Sequence, residues 1–150
     1  MSAIRWVLPA TILLLIAGCA SLPSSQYRTD RRAAYEKAAG APVSSFHFAS
    51  SLYSWEPLSD DELVVYTRPT QAWLLNLAAC RNLDITNTIG LTSNFNEVSV
   101  NFDSVLTERA QFPCAISQIR PVDLKGMKAA AEKREIKSEP RQPAVKPPAQ

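Results

Sequence analysis

Apolar positions fall into distinct zones along the chain. Trp6 to Ala17 is a nearly unbroken apolar run, interrupted only by Pro9 and Thr11. At twelve residues it is too short for a mature membrane span, which needs about 20. It has the length and flanks of a signal-peptide apolar region. Residues 20–26 read as a polar tether. Over 27–39 Tyr27, Arg31, Ala34, Tyr35 and Ala38 recur at helical spacing. Gly40 follows as a C-cap candidate and Pro42 as a stop. A helix of about thirteen residues is marginal alone, so it is expected to form by docking its tyrosines on the body.

From Val43 the period changes to two. Phe46 and Phe48 alternate with Ser45 and His47, the mark of a half-buried strand. Leu52 and Trp55 continue the apolar positions, and Pro57 marks an edge or strand end because it lacks a ladder donor. Ser59-Asp60-Asp61 supplies a turn. Leu63 to Thr67 and Ala72 to Leu77 are two further strands joined by Arg68-Pro69-Thr70-Gln71, with Trp73, Leu75 and Leu77 on one face. The stretch after Cys80 shows no period until Ile89. Leu91-Thr92-Ser93, then Val98, Val100 and Phe102, predict another hairpin, continued or flanked by Val105 and Leu106. Cys114 to Val122 is the final strand. Ile116 and Ile119 share a face there only if a bulge lies between them. The expected class is mainly β: a small antiparallel sheet or open barrel of about six strands with one N-terminal helix.

Beyond its alanines, the segment from Gly126 onward offers only Met127, Ile136 and Val145 as apolar side chains, and Pro140, Pro143, Pro147 and Pro148 punctuate it. A disordered tail is expected, helical part of the time over 128–137. Charge separates this tail from the body. Residues 41–124 hold four basic and nine acidic side chains, leaving −5. Residues 125–150 hold seven basic and three acidic ones, leaving +4. A mobile basic arm would find its partners among anionic cell-wall polymers or envelope proteins, by attraction that salt weakens. The bland alternative is a solubilising appendage. No nucleic-acid partner is expected.

The apolar run ends in Ile16-Ala17-Gly18-Cys19. This resembles the bacterial lipobox, in which a lipid is attached to the cysteine sulfur, cleavage occurs before the cysteine, and the new amino group is acylated. The alternatives are an ordinary signal peptide with a chance cysteine, or a core helix. Several acyl chains anchor durably, because each buried methylene contributes about 0.8 kcal/mol. Ala20 in place of an aspartate points to the outer membrane, facing the periplasm. Cys80 and Cys114 then remain as an even pair in an oxidising compartment and read as one disulfide, with two buried thiols as the alternative. The chain thus divides into a signal peptide (1–18), a lipid-attachment site, tether and short helix (19–40), a β domain (41–124) and a basic Ala/Lys/Pro-rich tail (125–150).

Candidate chemistry is sparse. His47 is the single histidine, and its strand parity directs it to solvent. No nucleophile-elbow, zinc-helix or phosphate-loop motif accompanies it. Asp60-Asp61-Glu62 lacks the alternation and turn glycine of a calcium loop and reads as a solvated turn. Asp103 and Asp123 form a conceivable acid/base pair whose separation the sequence does not fix. Arg28, Arg31 and Arg32 read as a solvated helix face in preference to a lipid-headgroup patch. Trp55, Tyr66, Arg68 and Trp73 are either a ligand surface or core packing, and their solvent exposure separates the two. No catalytic residue, cofactor or metal is expected. The function expected first is a non-enzymatic accessory or binding module of the envelope. The alternative is a small-ligand-binding or catalytic domain using those four side chains.

Several spaced motifs resemble a known family. They are Gly40 to Phe48, Trp55-Glu56-Pro57-Leu58, Tyr66-Thr67-Arg68-Pro69, Ala72-Trp73-Leu74-Leu75, Cys80, Phe102-Asp103, Cys114-Ala115-Ile116 and Ile119 to Asp123. Together, over roughly residues 35–124, they resemble small proteobacterial lipoproteins grouped as domain of unknown function 6491. The resemblance implies lipoprotein topology and paired cysteines, and no activity.

Overall fold

The computed structural model describes residues 24–138 with the exception of 79, 109 and 110. The apolar run, Cys19, residues 20–23 of the tether and the proline-rich end from 139 lie outside the described residues.

Helix α1 spans Ser24–Ala38. It begins three residues before the expected helix, taking Ser24, Ser25 and Gln26 from the tether. Hydropathy gave no sign of this, because polar residues suit a helix's first turn as well as a linker. Gly40 is not the left-handed cap expected of it, since no described glycine has positive φ. It serves a close approach instead. Its N–H donates to the Pro121 carbonyl at 2.8 Å, and a Cβ there would sit 3.3 Å from the Pro121 ring.

The strands are β1 (Ser45–His47), β2 (Ser54–Pro57), β3 (Glu62–Arg68), β4 (Gln71–Ala78), β5 (Ile89–Leu91), β6 (Glu97–Ser99), β7 (Ser104–Thr107) and β8 (Cys114–Val122), followed by helix α2 (Leu124–Ser138). Six of them form one curled antiparallel sheet in the order β2-β3-β4-β8-β7-β5, and β1 and β6 form a separate two-stranded ribbon. The mainly β class expected from the sequence holds, with a sheet of six strands. Pro57 ends the edge strand β2, where its missing donor costs no ladder bond. The β3–β4 hairpin forms across Arg68 and Gln71 as expected. The bulge on β8 is also present. Asn76 pairs with Gln118 and Leu77 with Ile116, so Ser117 is the extra residue, and its hydroxyl donates to the Asn76 carbonyl at 3.0 Å.

The hairpin expected between Leu91 and Phe102 does not form. β5 pairs with β7 through Leu91 and Val105, while β6 pairs with β1 through Val98 and Phe46. The alternation also stops early, because Asn101 turns the chain at φ 66° and leaves Phe102 89% exposed. The segment after Cys80 is more structured than its pattern shows. A 3-10 turn at Leu83–Ile85 buries Leu83 completely.

The sheet separates two cores. On one face Leu63, Val65, Leu75, Leu77, Ile116 and Ile119 pack against Phe46 and Val98 of the ribbon and against Leu83. On the other face Val64, Ala72, Leu74 and Val122 pack against Tyr35 of α1. Leu124 and Met127 of α2 join this second core, so a helix begins at Leu124 and docks by its first turn, earlier than the part-time helix expected over 128–137. Two apolar anchors and a cap suffice: Asp123 Oδ1 accepts from the Gly126 N–H at 3.0 Å. Each fully buried Leu or Ile contributes about 1.5–3 kcal/mol, which is why this small body needs both layers.

Candidate functional site

Strand parity places the four candidate ligand-surface residues. Trp55 and Trp73 are both register partners of Val65, and both pack partly buried against the ribbon-side core. Trp73 stacks on Phe46 with ring centroids 5.2 Å apart. Tyr66 points to the opposite face, beneath α1. Arg68 is exposed, beyond the register shift that follows Tyr66. Trp55 and Tyr66 nonetheless both line one depression at the β2 edge, which Trp73 and Arg68 do not line, so two of the four meet and the full set does not.

The structure gathers a different set, under α1. Arg28, Arg31 and Arg32 occupy one side of the helix, and each meets a carboxylate from a different element. Arg28 Nη2 lies 3.2 Å from Asp84 of the 3-10 turn. Arg31 forks onto Glu56 of β2, with Nη2 donating to Oε2 at 2.8 Å and Nε bonding Oε1. Arg32 Nε donates to Glu62 of β3 at 2.6 Å. The headgroup patch and the solvated face considered from sequence both give way to a clamp between helix and sheet.

Two of these pairs extend into networks. The Tyr35 hydroxyl donates to Glu56 Oε2 at 2.9 Å and lies 2.5 Å from the Tyr66 hydroxyl. Burial holds the Tyr35 phenol well above the usual tyrosine range, reinforced by its Tyr66 contact and the Glu56 charge. Glu56 in turn raises Arg31 against the opposing effect of its burial, and Glu62 raises Arg32. Glu62 is buried, with its other oxygen accepting from Asn76 Nδ2 at 3.1 Å. The solvated turn expected over residues 60–62 therefore stops at Asp61.

An open depression of about 310 Å³ adjoins the Glu56 network, lined in part by Tyr53, Ser54, Trp55, Tyr66 and Pro69. Its charged groups are already committed. Glu56 accepts from Arg31 and Tyr35, and burial disfavours ionisation of the Tyr35 phenol. Elsewhere, His47 is solvent-facing as expected, 3.7 Å from Glu97. Asp103 and Asp123 are placed at opposite ends of β8: Ile116 donates to the Asp103 carbonyl, while Asp123 follows Val122. They do not form a pair. Among the described residues, no group of three or more His, Cys, Asp or Glu side chains could hold a metal. Cys80 and Cys114 are bonded, with an S–S distance of 2.06 Å.

Sequence reading missed the clamp, yet a signal was present. Glu62 shares strand parity with Val64 and Tyr66, so its carboxylate had to enter whatever covers that face. Arg31 lies on the same helical stripe as Tyr35.

No match was found among curated proteins or among solved structures. A family match does cover most of the chain, residues 2–138, from the apolar run through α2. The chain belongs to the Family of unknown function (DUF6491).

Proposed function

We propose that this protein is a lipid-anchored module of the bacterial envelope, held through acylated Cys19 on the periplasmic side of the outer membrane and acting without catalysis of its own. Cysteine use carries the reading. Cys80 and Cys114 bond each other, which suits an oxidising compartment and leaves Cys19 as the one cysteine behind the apolar run. The family match includes that run and Cys19. Among the described residues no helix is long and apolar enough to cross a membrane. The neutralised charges beneath α1 support a binding or accessory role over an enzymatic one.

Metabolic labelling with a fatty-acid analogue tests the anchor. The parent chain should be labelled and membrane-bound, and Cys19→Ala should be unlabelled and released. Equal labelling of both forms would overturn the reading.

A further inference from the structure

The arginines of α1 are engaged by Asp84, Glu56 and Glu62. Arg68, at the β3–β4 turn, is exposed. The remaining concentration of basic charge is C-terminal, with seven basic against three acidic side chains over 125–150. Lys125, Lys128 and Lys133 of α2 are exposed.

The direction of α2 determines where this charge goes. Its start is tied to the end of α1, where the Asp123 N–H donates to the Ala38 carbonyl at 3.0 Å. Met127, Ala130 and Ala131 then line one groove with Tyr27, Ala34 and Ala38. The second helix thus runs back along the first, antiparallel to it. Both helices are 15 residues long, so from that shared end α2 reaches back about as far as the start of α1, roughly 22 Å at 1.5 Å per residue.

The start of α1 is the end nearest the proposed anchor. Cys19 and Ser24 are five residues apart, at most about 18 Å when extended. From these placements we infer that α2 lies against the bilayer that holds Cys19, and that its basic surface binds anionic phospholipid headgroups. This rests on the lipid anchor proposed above. It gives the basic surface of α2 a lipid partner in place of the cell-wall polymers expected from sequence. Charge complementarity favours it: a body of −5 would be repelled by an anionic leaflet, and the lysines spaced along α2 counter that repulsion.

The test uses the mature chain, residues 19–150, with Cys19→Ser so that no acyl group contributes. Both cores draw only on residues 35–127, so this chain keeps the fold. Binding is measured by co-sedimentation with phosphatidylethanolamine vesicles, with and without phosphatidylglycerol. The chain should sediment with the anionic vesicles at low salt, detach at high salt, and ignore the zwitterionic ones. Lys125→Glu, Lys128→Glu and Lys133→Glu together should weaken partitioning at least about tenfold without changing the melting temperature. Equal binding to both vesicle types, no binding to either, an unaffected triple variant, or sedimentation with purified cell wall in place of vesicles would each overturn the inference. Failure of the anchor alone would appear in the Cys19 labelling and leave the vesicle result standing.

Discussion

At the residue scale, the two ends of one ion pair should be unequal. The Glu62 side chain is 5% exposed and that of Arg32 is 41% exposed. Arg32→Ala leaves a buried carboxylate with only Asn76 as partner, so about 2–3 kcal/mol of stability should be lost. Glu62→Gln leaves a guanidinium that keeps Glu36 at 3.1 Å and that water can solvate, and should cost about 1 kcal/mol. Denaturant midpoints of the two variants check this, and equal losses would contradict it. Tyr35 gives a prediction in pH. Its pKa is raised in the folded state, so its contribution is complete below the unfolded value of about 10 and declines as pH rises above that. Stability should therefore fall on the alkaline side of about pH 10, and Tyr35→Phe should flatten that fall. An unchanged alkaline slope in the variant would show that the phenol is not its source. Strand parity signals the burial of Glu62, against the solvated turn expected there, and gives no signal of its partner. A side chain's face follows from a local period, whereas the arginine opposite it comes from an element thirty residues away.

At the element scale, the turn that leads into β6 carries backbone strain. Asn94 and Glu97 exchange backbone hydrogen bonds around Phe95 and Asn96, which have φ of 51° and 62°. Such a turn favours Asn or Gly at both central positions, yet Phe95 is 94% exposed and has no packing to compensate. Phe95→Asn should raise stability by about 1 kcal/mol, seen as a higher melting temperature. A lower melting temperature would mean that Phe95 makes a contact worth its conformation. The elements themselves were legible to different degrees. The β3–β4 hairpin, the edge at Pro57 and the bulge near Ser117 followed from local alternation and short connections. The pairings of β5 and β6 did not, because a period of two identifies a strand without naming its partner. Here the partner of β6 precedes it by about fifty residues. The docking of α2 was hidden because its two apolar anchors, Leu124 and Met127, are diluted by alanine and charge.

At the scale of the whole molecule, three layers are joined by few cross-links: ribbon, sheet and helices. The Cys80–Cys114 disulfide ties the end of β4 and the 3-10 segment to the start of β8, across 34 residues. Cys80→Ser with Cys114→Ser should lower stability by about 2–5 kcal/mol, read from denaturant unfolding. A negligible loss would mean that packing around Leu83 already fixes the segment. The central claim joins this domain to a lipid anchor, and the intact mass of protein purified from its native membranes tests it most directly. The expected mass is that of a chain beginning at Cys19, increased by a lipid on its sulfur and an acyl group on its amino end, with two thiols alkylated only after reduction. A mass equal to the unmodified polypeptide, with Cys19 open to alkylation, would contradict it.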